Sequence, residues 1–295
     1  MASKRFFLIL FAVVLIVGLI LGCSQLTSGF KIRKIAYRNY NEIFYENRFE
    51  RGDFSELTTI LNQKFHFLGK GCQIYAFESA DGKYVLKLLK LHRYQIPFRK
   101  AFLTSFFSWP QKDLKSLQLN QKRRLKATFA NYHLAMDVLK DETALIYAHF
   151  DRSVVLPKVQ LSDQLGRVFL VDLNHTFLLI QKKATDFKEE LTLCRQNHQL
   201  AEAQLLIDRS VEHLKRRLSY KIFDSDHPGY VRNLGFIGEK AISMDVGNFK
   251  QRKEASVEEI EREYFDCLKR LVSWTQKNYP EIAVYIQKKY QGARQ

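Results

Sequence analysis

A chain of 295 residues with 46% hydrophobic and 13% aromatic content has enough apolar material for one two-lobed domain or two small ones, so a globular protein is expected. Its 47 Lys and Arg against 31 Asp and Glu leave a net charge of +16, which favours an anionic partner: phosphate, nucleic acid or an acidic bilayer surface. Four cysteines without a CxxC pair, and no His cluster at ligand spacing, signal neither a zinc site nor a disulfide framework, so reduced thiols are expected.

The first element is apolar. After Lys4 and Arg5 come eighteen residues, Phe6 to Cys23, without a charge, close to the length a helix needs to cross hydrocarbon. Two readings compete. In one, residues 1–23 are a retained transmembrane anchor, and Lys31, Arg33, Lys34 and Arg38 after it place the domain on the cytoplasmic side. In the other, "ILGC" is a lipoprotein-type signal, cleaved to leave a lipidated Cys23 on an exported chain; Ile20 and Leu21 depart from that pattern. Residues 24–61 form a tether and a lead-in helix around "SELTTILNQ".

Residues 62–184 form a β-rich region. "FHFLGKGCQIYAFESADGKYVLKLLK" predicts three strands in an antiparallel meander, turned at Gly69–Gly71 and at Asp81-Gly82. A basic, aromatic insert over 91–117 follows. Ten positive residues and one negative lie between Lys90 and Lys126, so one patch carries much of the field. Helical composition then runs to His149, with no Gly or Pro from Gln111 to Leu156. Strands return in "SVVLPKVQLS", "GRVFLVDL" and "TFLLIQ", the first two joined by a turn at Asp163–Gly166.

Residues 185–295 are α-rich. Ile207, Val211, Leu214 and Leu218 mark one buried helical face. A hairpin with arms "LGFI" and "AISM" around "GEK" comes next, then a helix whose start carries the capping-box pair Ser256 and Glu259. The order predicts an α+β protein, a small antiparallel β lobe before a mainly α lobe.

Over about residues 65–249 these features resemble the protein kinase-like superfamily, whose fold is two-lobed. "LGKGCQIYAF" resembles the glycine-rich loop over ATP phosphates, with Gly69 and Gly71 in place and Ile74 standing for the third glycine. Lys87 in "YVLKLL" resembles the strand lysine that contacts phosphate, with Lys90 as a rival. Glu142, with Leu145 three residues on, matches the helix glutamate that pairs with that lysine; Asp141 and Asp137 are alternatives. "RNLGFIGEKAISMDVG" resembles the segment from the metal-holding Asn to Asp-Phe-Gly, so the resemblance implies Mg²⁺ at Asn233 and Asp245, hard oxygen donors that a hairpin would bring together.

The pattern fails at one place. The family's base stands five residues before the Asn, where this chain has Pro228. A two-residue bulge at Pro228-Gly229 would let Asp226 take the role, with Asp224 and His227 nearby; a chain without any base is the other reading. Only Asn248 to Ala255 separate Asp-Val-Gly from the capped helix, with no A-P-E motif, which points to a small-molecule or lipid-type acceptor or to an inactive pseudokinase. Aromatics among cations in "PFRKAFLTSFFSWPQK" suit an anionic membrane surface or, equally, packing under the β lobe. A tethered domain argues against nucleic acid. Three classes therefore stand: a membrane-anchored kinase-like ATP and Mg²⁺ binder, a non-catalytic nucleotide-binding scaffold, and a basic lipid-surface or nucleic-acid binder.

Overall fold

The structure, a computed structural model, describes residues 10–16, 18, 22, 25–37, 54–95, 111–150, 154–226 and 229–292. The tether from 38 to 53, the insert core from 96 to 110, His227, Pro228 and half of Phe6–Cys23 lie outside the described residues. Residues 10–16 are helical and exposed. Among the described residues no helix is long and apolar enough to cross a membrane.

The chain divides into two units, residues 1–122 with 149–179, and residues 123–148 with 180–295. The first contains helix α1 (Phe54–Leu61) and the meander β1 (Lys64–Lys70), β2 (Ile74–Ser79) and β3 (Tyr84–Leu89). It also holds the hairpin β5 (Lys158–Ser162) and β6 (Val168–Asp172), and β5 lies parallel to β1 in the order β3-β2-β1-β5-β6. The start of β7 (Leu178–Lys182) adjoins β3, where the Leu89 N–H donates to the Phe177 carbonyl. All pairings in this run except β1 with β5 are antiparallel.

The meander forms as its sequence predicts. Asp81 and Gly82 close the β2–β3 turn, with Gly82 at φ 70° and the Asp81 carboxylate accepting from the Lys83 N–H and the Ser79 hydroxyl. One sheet face carries Tyr75 and Phe77, whose rings meet Phe30 edge-on at 5.3 and 5.1 Å. Phe30, from the segment before α1, thereby closes that side of the core.

The second unit is mainly helical. Residues 123–138 belong to the long helix α2 (Gln111–Val138), whose Leu125, Phe129, Tyr132 and Met136 form a buried stripe at helical spacing. Here the expectation of helix to His149 is corrected. Helix α2 stops at Val138, a four-residue helix α3 (Lys140–Thr143) follows, and "LIYAH" is strand β4 (Leu145–His149). Ala144, in the left-handed region at φ 52°, ends α3 with its N–H on the Lys140 carbonyl. Strand β4 lies beside β7, with the Lys182 N–H donating to the Ala144 carbonyl.

After the two-residue strand β8 (Thr185–Asp186) come α4 (Phe187–Gln196) and α5 (Leu200–Ser219). Ile207, Val211, Leu214 and Leu218 are all buried, as predicted. Strand β9 (Ile222–Asp224) pairs with β12 (Phe249–Gln251), and β10 (Leu234–Ile237) with β11 (Lys240–Ser243). The hairpin turn is Gly238-Glu239, one residue tighter than "GEK", because Gly238 at φ 57° lets Ile237 pair directly with Lys240. The first predicted strand of the central group is shorter than "SVVLPKVQLS": β5 starts only at Lys158, after Pro157, which has no N–H for a ladder.

Helix α6 (Val257–Asn278) begins with both halves of the predicted capping box, the Ser256 hydroxyl accepting from the Glu259 N–H and the Glu259 carboxylate from the Ser256 N–H. Helix α7 (Pro280–Ile286) closes a core built on Phe187, Ile207, Leu214, Leu268, Leu271 and Ile282. The described residues thus form an α+β protein with a mostly antiparallel sheet.

Candidate functional site

In the first unit, three residues on adjacent strands share one row: Gly69 pairs with Ala76, and Ala76 with Lys87. Directly opposed residues point to the same face, so Lys87 rises beside two side chains that are nearly absent, two strands or about 10 Å from Gly69. This face is opposite the one holding Tyr75 and Phe77. The β1 ladder shifts register between Phe67 and Gly69, which turns Gly69 into the row. Among the described residues a Cβ at Gly69 would meet nothing within 4 Å, so none of them demands glycine there. Lys87 is only 8% exposed.

The tip of this hairpin is braced. The Gly71 N–H donates to the Ile74 carbonyl at 3.1 Å, and Lys90 Nζ donates to the Gly71 carbonyl at 2.5 Å while lying 4.3 Å over the Tyr75 ring. Arg93 Nη1 reaches the Cys72 carbonyl at 2.8 Å. Lys90, the rival to Lys87, is therefore bound to the loop itself. Burial, reinforced by the charges of Lys70 and Arg93, brings its ammonium down to about 8.

In the second unit, the β10–β11 hairpin positions the C-terminal motif. Leu234 pairs with Ser243, and one step further the Met244 N–H donates to the Asn233 carbonyl, so Asn233 stands opposite Met244, the residue before Asp245. The Asp245 Oδ1 accepts from the Gly247 N–H at 3.1 Å. Asn131 of α2 fixes the same turn, its Nδ2 donating to the Gly247 carbonyl at 2.7 Å. Asn233, Asp245 and Asp226 are all half-buried.

Asp226 and Asn233 meet over a glycine. A Cβ at Gly229 would lie 2.2 Å from Asp226 Oδ2 and 2.9 Å from Asn233 Nδ2, so both side chains occupy the space its missing side chain leaves. Asp226 is also engaged by Arg232, whose Nη2 lies 3.0 Å from Oδ2. Pro228-Gly229 was legible only as a loop former; this contact was not.

Asp224, two residues earlier, is buried on β9, and its Oδ1 accepts from the Asp226 N–H at 2.8 Å. Burial raises its pKa, and the charges of Asp226 and Asp245 push the same way while Arg217 opposes them, so all three carboxylates lie within electrostatic range. The Asp224 N–H donates in turn to Glu263 Oε1 of α6, and that oxygen also accepts from Arg217 Nη2 of α5, both at 3.1 Å. Arg217 and Glu263 thus form a buried ion pair beneath the acidic segment. A cleft of about 190 Å³ opens beside it, with Asp224 and Glu263 facing Lys250, Arg252 and Arg262.

The base of the hairpin rests on a histidine. His213 Nε2 lies 2.9 Å from Ser243 Oγ, and the Ser243 carbonyl accepts from Gln181 Nε2 at 3.2 Å. Burial, with Arg217, Arg216 and Lys240 acting in the same sense, holds the His213 imidazole down to about 3. A pKa depressed below the unfolded value means that the unfolded chain takes up the proton first. Stability is therefore full above about pH 6.5 and falls as pH drops toward 3. About 2 kcal/mol should be lost between pH 6.5 and 5 from this group alone. Urea unfolding across that range should show a slope that His213→Gln flattens; equal slopes would remove the histidine from the account.

Glu142 is buried on α3, which packs against β11, rather than on the long helix with Leu145 on its face. Gly69, Gly71 and Lys87 thus belong to the first unit, and Glu142, Asp226, Asn233 and Asp245 to the second. Among the described residues no group of three or more His, Cys, Asp or Glu could hold a metal ion. Cys72, Cys194 and Cys267 are free thiols. No protein-family model matches the chain, and no curated protein matches its sequence.

Proposed function

We propose a membrane-anchored protein with a two-lobed, kinase-like fold that binds Mg·ATP and transfers phosphate to a small-molecule or lipid-type acceptor. The observation that carries this reading is the β10–β11 hairpin: it returns the chain so that Asn233 stands opposite Met244, the residue before Asp245, with Asp226 adjoining Asn233 across Gly229. An amide and a carboxylate are hard oxygen donors, and two protein ligands suit an ion that keeps water and phosphate oxygens for its other positions. Asn233 and Asp245 would hold Mg²⁺, which neutralises nucleotide phosphate charge when bound. Asp226 would accept the acceptor's hydroxyl proton.

The first unit supports the same reading. Lys87, in one row with Gly69 and Ala76, would direct its ammonium to a phosphate oxygen. Gly69 and Gly71 would let backbone amides approach phosphate. The apolar Phe6–Cys23 would anchor the domain on the cytoplasmic side, where ATP is abundant, with the lipidated, exported form as the alternative.

Thermal unfolding of the full chain with Mg·ATP tests the binding step. Ligand at about 100 times its dissociation constant should stabilise by roughly 2.7 kcal/mol, and Asp245→Ala should abolish the gain. No shift in either protein would remove the nucleotide from the reading. A second reading, a nucleotide-binding scaffold without catalysis, is favoured by the Asp226–Arg232 ion pair, which occupies the proposed base. Equal background rates of ATP turnover in wild type and Asp226→Ala, with the thermal gain retained, would select it.

A further inference from the structure

The segment just past the apolar stretch is fixed to the first unit at one place. Ser28 Oγ donates to Gln164 Oε1 at 2.6 Å, the Tyr75 hydroxyl donates to the Gly29 carbonyl at 2.8 Å, and Phe30 is buried against Tyr75, Phe77 and Phe169. Gln164 lies in the β5–β6 turn. An extended chain spans at most about 3.6 Å per residue, so Gln164 lies within roughly 20 Å of wherever Cys23 is held. Both anchor readings hold Cys23 at a bilayer surface, one as the end of a spanning helix and one as a lipidated residue.

We propose that the β5–β6 turn and edge strand β6 make a second contact with the bilayer, entering the headgroup layer of an anionic membrane. The inference rests on the membrane-anchored part of the proposed function and needs none of the nucleotide chemistry. Leu165 at the turn is 52% exposed, and Val168 and Leu170 on β6 are each 62% exposed. Val168 and Leu170 alternate with Phe169, so they share the outer face while Phe169 packs on Phe30.

The turn that presents Leu165 is rigid. The Asp163 side chain, fully buried, accepts from the Leu165 and Arg167 N–H groups and from the Arg167 guanidinium. A leucine is thereby held outward at the tip of a hairpin, where a polar residue would hydrate better. Lys31 and Arg33, exposed directly after Phe30, add cations for anionic headgroups near the same docking point. Apolar side chains with flanking cations are the chemistry of an interfacial contact.

Photo-crosslinking in the full chain tests this while leaving Cys23 native. p-Benzoylphenylalanine would replace Leu165, Leu170 or, as the control, Lys83, in protein reconstituted into mixed phosphatidylcholine and phosphatidylglycerol vesicles. Lys83 lies in the β2–β3 turn, and since β5 runs parallel to β1 and β2 antiparallel, that turn is at the other end of the sheet. The expected result is about tenfold more lipid adduct at 165 and 170 than at 83. A vesicle-bound chain with equal adducts at all three positions would overturn the contact while leaving the anchor intact. Adducts at 165 to a second copy of the chain would overturn it in favour of self-association. A chain that remains in the supernatant would overturn both the contact and the anchor.

Discussion

Glu263→Ala should destabilise the protein by about 3–5 kcal/mol, because it strands a buried guanidinium. The Arg217 and Glu263 side chains are 2% and 3% exposed, and Arg217 Nη1 has no hydrogen-bond partner among the described residues even with Glu263 present. Removing the carboxylate leaves Arg217 hydrogen-bonded only to the Cys267 sulfur at 3.7 Å among the described residues, with the Phe249 ring at 5.4 Å and the Asp224 carboxylate within electrostatic range. Glu212→Ala is the control: its pair with Arg216 is 50% and 65% exposed, and such pairs contribute about 0–1 kcal/mol. The double variant Arg217→Met, Glu263→Leu separates two causes. Replacing a buried pair by apolar residues is often neutral, but the Asp224 N–H would still lack its acceptor, at a cost of about 1–3 kcal/mol. Urea midpoints should therefore rank Glu212→Ala near wild type, the double variant below it, and Glu263→Ala lowest. A Glu263→Ala midpoint equal to that of Glu212→Ala would show that the pair carries no such load.

What was legible in the sequence is what local chemistry fixes. Asp81-Gly82 and Gly238 supply turn conformations that open to glycine at positive φ, and short apolar runs flank them, so the meander and the hairpin were legible as strands around turns. The α3–β4 boundary was missed because Ala144 adopts a left-handed conformation without the glycine that normally marks it. Arg217 and Glu263 left a trace, each a charge on an otherwise apolar helical stripe beside Leu214, Leu218, Cys267 and Leu271. Their pairing across 46 positions, and their shared hold on Asp224, depend on how α5 and α6 pack. For the segment that holds Asn233 and Asp245, the return of the chain was readable because a two-stranded hairpin comes back to its starting end. The approach of Asp226 to Asn233 was not, since it depends on the space above one glycine.

That space makes Gly229→Ala the sharpest test of the acidic segment. Gly229 lies outside the left-handed region, so alanine meets no backbone strain there; the whole effect comes from a Cβ placed 2.2 Å from the Asp226 carboxylate and 2.9 Å from the Asn233 amide. Both obstructing atoms are ends of side chains rather than backbone. Asp226 already pairs with Arg232, which is 64% exposed, so swinging the carboxylate outward with that partner relieves the contact without opening the core. Stability should then change little, by about 1 kcal/mol or less, against the 1–3 kcal/mol that overpacking a closed core costs. Under the proposed chemistry, turnover should fall by about 10²-fold or more, the range of a lost general base. Mg·ATP affinity should weaken as well, because the Cβ also displaces the amide of Asn233, a proposed Mg²⁺ ligand. Asp226→Asn should match the loss in turnover but keep the affinity, and combining it with Gly229→Ala should add little further loss in turnover. Gly229→Ala with wild-type turnover and wild-type nucleotide affinity would mean that neither Asp226 nor Asn233 works from the position over Gly229.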